Sequence, residues 1–212
     1  MRIGFIGVGN VATNLGKLFD QAGHNVIYGS RHPSEDKKKL ETVFNKEVEV
    51  DNFETAAKKS DVLIFAIPYS AVKEVAESIK DQLDGKVVVD LTNPLNSDWS
   101  PVLLGVENSG GEEMAKLLPN AKVVKAFNTI FADMMKAEKL SFGDANLTAF
   151  ICGNDSNANQ TVADLASDAG FAPLIVGDIK NARYLEAIAH LNIQIAIGMK
   201  GGTDAGFKFF QR

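Results

Sequence analysis

The chain has almost none of the residues from which disulfides and metal centres are built. Its 212 residues include one cysteine and three histidines. Cys152 has no internal disulfide partner, and its place in the apolar run that starts at Leu147 makes it a buried, inert thiol by default. His24, His32 and His190 lie far apart and form no set at metal-ligand spacing, so no metal site is expected. Long hydrophobic runs are missing too. No stretch approaches the length of a membrane span, and the short apolar run at Arg2 to Ile6 carries no cleavage pattern. It reads as a strand and not as a signal peptide. Nor is there a surplus of positive charge. The formal net charge is −5, which disfavours generic nucleic-acid binding. No repeat and no disordered linker is visible. These absences lead to the expectation of a cytoplasmic protein in a reducing compartment, with neither a membrane nor a nucleic acid as partner.

What is present is ordinary for a globular chain: 45% hydrophobic and 23% charged residues, enough for a real core. The informative part is the beginning. The apolar run ends in Gly7-Val8-Gly9-Asn10-Val11-Ala12, the dinucleotide-binding pattern with Ala in its third position. Gly7 allows a tight turn out of the strand, Gly9 lets backbone approach a pyrophosphate, and Ala12 keeps the next helix close. An anion then sits on the helix N-terminus around Asn10 and Val11, where unpaired N–H groups and the positive dipole end coincide. The strand before the motif, the helix after it (11–22) and a second strand at 25–28 supply the context that a glycine turn alone lacks.

An NAD-binding chain usually carries Asp or Glu about 20 residues after the glycines, to accept from the ribose 2′-hydroxyl. Here the second strand ends in Tyr28-Gly29-Ser30-Arg31-His32-Pro33, with no carboxylate at the tip. Ser30 donates a hydrogen bond and Arg31 brings a fixed cation, so a 2′-phosphate is welcome and NADP(H) is favoured over NAD(H). His32 and the Lys37-Lys38-Lys39 run add positive charge nearby. The lysines read equally well as a solvated helix face.

Strands and helices alternate along the rest of the chain. Helices are expected at 34–45, 52–59, 71–83 and 112–118, and strands at 48–50, 61–67, 86–91 and 122–127. An irregular segment runs from 96 to 111. The last third continues in the same style, with strands at 147–152 and 172–176 and helices at 156–169 and from about 181. Near-continuous apolar strands separated by helices mean a parallel sheet covered on both faces. The fold class is therefore α/β: a doubly wound parallel, Rossmann-like sheet with an appended smaller C-terminal α/β part. The chain is expected to be one NADP-binding unit over 1–212. Residues 1–130 are its dinucleotide-binding core, and 131–212 an extension completing the acceptor site.

Ligands of such sheets lie at the carboxyl ends of the strands. Those ends carry small, polar or proline residues throughout. Ala66, Ile67 and Pro68 are expected beside the adenosine-side ribose and pyrophosphate. Thr92, Asn93, Ala126, Phe127 and Asn128 are expected nearer the nicotinamide. Each alone reads also as a strand-ending turn; five such tips together make a crevice.

Several segments jointly resemble a known family. They are Gly7-Val8-Gly9-Asn10, Gly29-Ser30-Arg31-His32-Pro33, Val124-Lys125-Ala126-Phe127-Asn128-Thr129, Cys152-Gly153-Asn154-Asp155 and Asn181-Ala182-Arg183-Tyr184-Leu185-Glu186. The chain resembles the NADPH-dependent deazaflavin (coenzyme F420) reductases. It is similar also to the cytosolic NADPH-binding domain of the six-transmembrane metalloreductases, without their membrane part. The resemblance implies NADP(H) with Ser30 and Arg31 on the 2′-phosphate. It implies hydride exchange with a flavin-like ring, coenzyme F420 or a flavin, stacked on the nicotinamide. It also implies ring contacts from backbone at Ala126 and from the segment around Gly201-Gly202. The loop from Asn96 to Glu113 is not diagnostic of a deazaflavin site.

Hydride transfer between stacked planar cofactors needs proximity and orientation, and no side chain is assigned as catalyst. A flavin or ferric reductase is an alternative acceptor assignment. A reductase of a small hydroxy acid or imine instead wants a poised Lys, His or carboxylate, for which Asp90, Lys125 and Asp133 are the nearby candidates. His190 reads as an ordinary helix residue. A non-catalytic NADP(H) sensor is the remaining alternative. A homodimer through the apolar C-terminal half is a further expectation.

Overall fold

The structure, a computed structural model, describes residues 1–212. The chain opens β1 (Arg2–Ile6), α1 (Asn10–Gln21), β2 (Asn25–Gly29), α2 (Pro33–Phe44) and β3 (Glu49–Asp51). It continues α3 (Phe53–Lys59), β4 (Val62–Phe65), α4 (Tyr69–Ile79), β5 (Val87–Asp90), α5 (Gly110–Leu117) and β6 (Lys122–Ala126). A two-residue hairpin, β7 (Ser141–Phe142) and β8 (Ala145–Asn146), precedes β9 (Thr148–Gly153), α6 (Ser156–Asp168), β10 (Ala172–Ile175) and α7 (Ala182–Ile193). A π-helical turn, Gln194–Gly198, extends α7.

The sheet has eight strands in the order β10-β9-β6-β5-β4-β1-β2-β3. Read from the far edge, its first six strands run 3-2-1-4-5-6, the doubly wound order of dinucleotide-binding sheets. All neighbours from β3 to β6 are parallel. The last third departs from the parallel expectation, because β9 pairs with β6 antiparallel. The cause is local: the segment between β6 and β9 holds only short 3-10 turns and the hairpin. Without a crossover helix, the chain re-enters the sheet at the end where it left. α6 then makes a true crossover, so β10 is parallel to β9. β9 and β10 therefore extend the main sheet, while β7 and β8 pair only with each other.

Both faces are covered, which is why β1, β4 and β5 read as near-continuous apolar runs. On one face Leu15 and Phe19 of α1 and Val162 and Leu165 of α6 pack over Phe5, Tyr28 and Val124. On the other, Val72 and Ile79 of α4, Met114 of α5 and Leu185 of α7 pack over Leu63, Phe65, Val88 and Val123. Each such side chain contributes about 1.5–3 kcal/mol by leaving water. Cys152 lies in the second layer, fully buried. Burial pushes its thiol up to about 12, so it stays protonated and unreactive. A disulfide reagent at neutral pH should leave the native thiol untouched and titrate it fully in denaturant. Reaction at a free-cysteine rate without denaturant contradicts this packing.

Side-chain oxygens cap several helices. Asn52 accepts from the Thr55 N–H at the start of α3, Ser109 from the Glu112 N–H in α5, and Asp155 from the Ala158 N–H in α6. α1 has neither a side-chain cap nor an acidic residue in its first turn. Its first N–H groups are left for something outside the chain.

Candidate functional site

The order of the sheet reverses between β1 and β4, and a crevice opens at the carboxyl ends of these strands. Two glycines shape the turn from β1 into α1, for different reasons. Gly7 has φ +108°, and a Cβ there would lie 2.6 Å from the Ala66 carbonyl oxygen, so the fold itself requires glycine. Gly9 has φ −72° and ψ 178°, ordinary extended backbone, and a Cβ there would meet nothing within 4 Å. The fold does not need glycine at position 9; the space above it does.

That space belongs to a cavity of about 1040 Å³. Nine of the expected site residues line it together: Gly9, Asn10, Val11, Ala66, Ile67, Pro68, Thr92, Asn93 and Asn128. Gly7, Ser30, Arg31, His32, Ala126 and Phe127 are not in its wall. The β2 tip lies one strand over, with Gly29 in register with Ile6, so Ser30 is beside the glycine turn.

At this tip the structure corrects the sequence reading. A carboxylate does reach it, from the first turn of α2 and not from β2 itself. Ser30 Oγ donates to Asp36 Oδ2 at 2.5 Å and accepts from the His32 N–H at 2.9 Å. The Ser30 hydrogen bond, outweighing partial burial, holds the Asp36 carboxyl below the usual range. Arg31 is exposed. Lys37 is paired with Glu47 at 3.2 Å and with Glu41 at 3.6 Å, and Lys39 with Glu35 at 2.9 Å. Much of the lysine charge is thus neutralised by neighbouring carboxylates.

The β5 and β6 tips form the opposite wall. The hydroxyl of Thr92 donates to Asp90 Oδ1 at 2.7 Å, leaving its lone pairs free. Asn93 and Asn128 are cross-linked: Asn93 Nδ2 donates to the Asn128 carbonyl oxygen and Asn128 Nδ2 to Asn93 Oδ1. Asn128 Oδ1 is buried and has no hydrogen-bond partner. Phe127, expected at the ring, instead turns its side chain into the core. It adopts φ +62° and its ring packs edge-on against Phe19 and Phe171. Only its main chain is left for the crevice, and Ala126 is buried likewise.

Asp90 and Lys125, the candidate acid–base groups of a small-substrate reductase, are fully buried behind this wall. Lys125 Nζ lies 2.9 Å from Asp90, 2.6 Å from the Thr92 carbonyl oxygen and 2.8 Å from Glu186 of α7. Burial alone pulls the ammonium pKa down, but Asp90 and Glu186 outweigh it and hold it above the ordinary lysine range. The Glu186 carboxylate also accepts from the Gly110 and Gly111 N–H groups at 3.0 Å each, at the start of α5. This network locks strand tips to helices, and of its members only Thr92 lines the cavity, not Lys125, Asp90 or Glu186. Asp133 does line the cavity, accepting from Thr203 Oγ1 at 2.6 Å. Burial lowers the His190 pKa, so its ring is neutral near pH 7, and it is not part of the wall.

The C-terminal third completes the cavity with Ala189, Asn192 and Ile193 of α7 and with Thr203. Sequence reasoning missed these as site residues, although Asn192 visibly interrupts the apolar pattern of α7. It also missed Trp99, Leu95 and Val102 from the irregular segment, which has no periodicity to read. No helix is long and apolar enough to cross a membrane.

The residues present fit a dinucleotide: an uncapped helix end, open space above Gly9, and an unpartnered Asn128 oxygen at the far wall. Fold and site together define a protein of the NAD(P)-binding Rossmann class. The sequence profile of the family described as "NADP oxidoreductase coenzyme F420-dependent" matches residues 2–94. The F420-dependent NADP reductase of Methanocaldococcus jannaschii is 29% identical over 214 residues, covering 94% of each chain. A protein of Arthrobacter sp. FB24, assigned as an F420-dependent NADP reductase, superposes with a TM-score of 0.88 at 27% identity, covering all of both chains. The rat metalloreductase STEAP3 is 33% identical over 187 residues, which is 88% of this chain and 36% of that protein. The chain thus spans about a third of the metalloreductases it matches. The chain is thus similar to the F420-dependent NADP oxidoreductase family over residues 2–94, and is homologous to the matching part of the STEAP metalloreductases.

Proposed function

We propose that the protein exchanges hydride between NADP(H) and coenzyme F420, in a reducing cytoplasmic compartment. The observation that carries this reading is the continuity of one cavity. It runs from the uncapped start of α1 to the Thr92–Asn128 wall and the C-terminal helix, and holds no cysteine, lysine, arginine or histidine. Such a space suits two planar rings held face to face. Similarity along nearly the full length of an F420-dependent NADP reductase supports the deazaflavin as acceptor.

When bound, the nicotinamide supplies the hydride and the acceptor ring takes it. The chain's own residues orient and enclose. The first amides of α1 hold the pyrophosphate, with Gly9 leaving room for it. Ser30 and Arg31 hold the 2′-phosphate. Thr92 Oγ1, its proton committed to Asp90, and the unpartnered Asn128 Oδ1 offer two acceptors to an amide N–H group, which matches a carboxamide. Ile67, Leu91, Ile130 and Ile193 line the walls and keep water away.

Arg31→Ala should weaken NADPH binding about 10–100-fold, the range of a lost charge-assisted contact, and leave NADH nearly unchanged. Fluorescence titration of both nucleotides reads the difference. Equal losses for the two remove Arg31 from the phosphate. The acceptor is tested by following NADPH oxidation against coenzyme F420, FMN, FAD, a ferric chelate and no acceptor, with NADH in parallel. Turnover with coenzyme F420 alone is the expected result. Turnover with flavin or ferric iron instead makes the protein a flavin or ferric reductase, a reading that the metalloreductase homology favours.

A further inference from the structure

The 2′-phosphate subsite contains a group that works against its own ligand. Ser30 has one hydroxyl hydrogen, and in the structure that hydrogen goes to Asp36 Oδ2 at 2.5 Å. Its oxygen already accepts from the His32 N–H, which fixes the hydroxyl's orientation. The Asp36 side chain is 15% exposed, and its other oxygen is 3.4 Å from Lys39 Nζ. Lys39 is shared with Glu35 at 2.9 Å and therefore neutralises Asp36 only in part. The Ser30 backbone is tied to β3 through its N–H and the Asp51 carbonyl oxygen, so the hydroxyl cannot retreat from Asp36 by moving the strand tip.

A 2′-phosphate is an acceptor with negative charge. To donate to it, Ser30 must withdraw its hydrogen from Asp36, leaving a carboxylate facing a phosphate across a single side chain. A 2′-hydroxyl imposes no such exchange. It donates to the free lone pair of Ser30 or to Asp36 itself, the part that a carboxylate at the strand tip plays in NAD-binding sheets. Arg31 therefore favours the phosphate and Asp36 the hydroxyl. Asp36 stands 27 positions after Gly9 in the numbering and reaches the tip only because Pro33 starts α2 at once, which turns its first turn back over β2.

Resting on the dinucleotide reading above, we infer that Asp36 is a specificity-determining residue. It moderates the preference for NADP(H) that Ser30 and Arg31 create and leaves NAD(H) a usable ligand. Asp36→Asn keeps an acceptor for the Ser30 hydroxyl and removes the charge. Dissociation constants of NADPH and NADH are measured by fluorescence or calorimetry on the same preparation, so that their ratio does not depend on the fraction folded. The variant should bind NADPH about tenfold more tightly, in keeping with the removal of one charged interaction, and NADH no better than before. Asp36→Ala, which also frees the Ser30 hydroxyl, should shift the ratio in the same direction.

A ratio within about twofold of the unmodified protein in both variants overturns the role of Asp36 while the dinucleotide reading stands. Failure of the unmodified protein to bind either nucleotide overturns the dinucleotide reading and this role with it. Tighter NADPH binding in Asp36→Asn that disappears in Arg31→Ala/Asp36→Asn supports it further, because the two charges then act on the same phosphate.

Discussion

Gly9→Val should abolish dinucleotide binding while the protein folds and melts as before. The backbone at Gly9 is extended, at φ −72° and ψ 178°, a region valine occupies readily. A Cβ at this position meets no atom within 4 Å, so the branched side chain projects into the cavity and not into the fold. It fills the approach to the first amides of α1, where the proposed function puts the pyrophosphate. An affinity loss of at least about 100-fold, roughly 3 kcal/mol, is expected for NADPH and NADH alike. Gly7→Ala is the control. At φ +108° with the Ala66 carbonyl oxygen 2.6 Å from the new carbon, it should cost about 1–3 kcal/mol of stability. Thermal unfolding and nucleotide titration on both variants separate the two roles. Unchanged NADPH affinity in Gly9→Val means that the crevice is not where the pyrophosphate lies.

Lys125→Met should produce the largest loss of stability of any single change considered. Methionine fills a similar volume but removes the one cation between Asp90 and Glu186, both buried. Breaking a buried pair from one side costs about 3–5 kcal/mol, because the orphaned charge remains. That is a large part of the total stability of an ordinary domain, about 5–15 kcal/mol. Urea unfolding of the variant beside the unmodified protein measures the loss, and a loss below about 1 kcal/mol contradicts the charged network. Asp90→Asn in the Lys125→Met background should restore part of the loss, since one of the stranded charges is gone.

Much of this molecule was readable before any coordinates. The strand-to-helix turn at Gly7 and Gly9, the buried runs at Val62–Phe65 and Val87–Asp90 and the amphipathic helices between them follow from periodicity and from glycine's place in the pattern. Nine of the fifteen expected cofactor residues come together in one cavity, because strand tips of a parallel sheet converge by construction. The errors have physical causes. Phe127 stands at a strand tip, where a ring contact is expected, but a positive φ turns its side chain inward. β2 itself ends without a carboxylate, and the one that reaches its tip, Asp36, arrives from the next helix. The antiparallel β9 was missed because an apolar strand reads the same in either direction.

Local chemistry sufficed for the class: an uncapped helix start after a glycine turn, alternating elements, and a serine–arginine pair at the tip of the second strand. These depend on neighbours within a few residues, so they survive as pattern in the chain. The balance of charge at the β2 tip, the Lys125–Asp90–Glu186 lock and the α7 wall of the cavity depend on residues 6, 35, 61 or more positions apart. Nothing in linear spacing ties such residues together. They meet only because the eight-stranded sheet, packed on both faces, brings its strand tips and helix ends to a single edge.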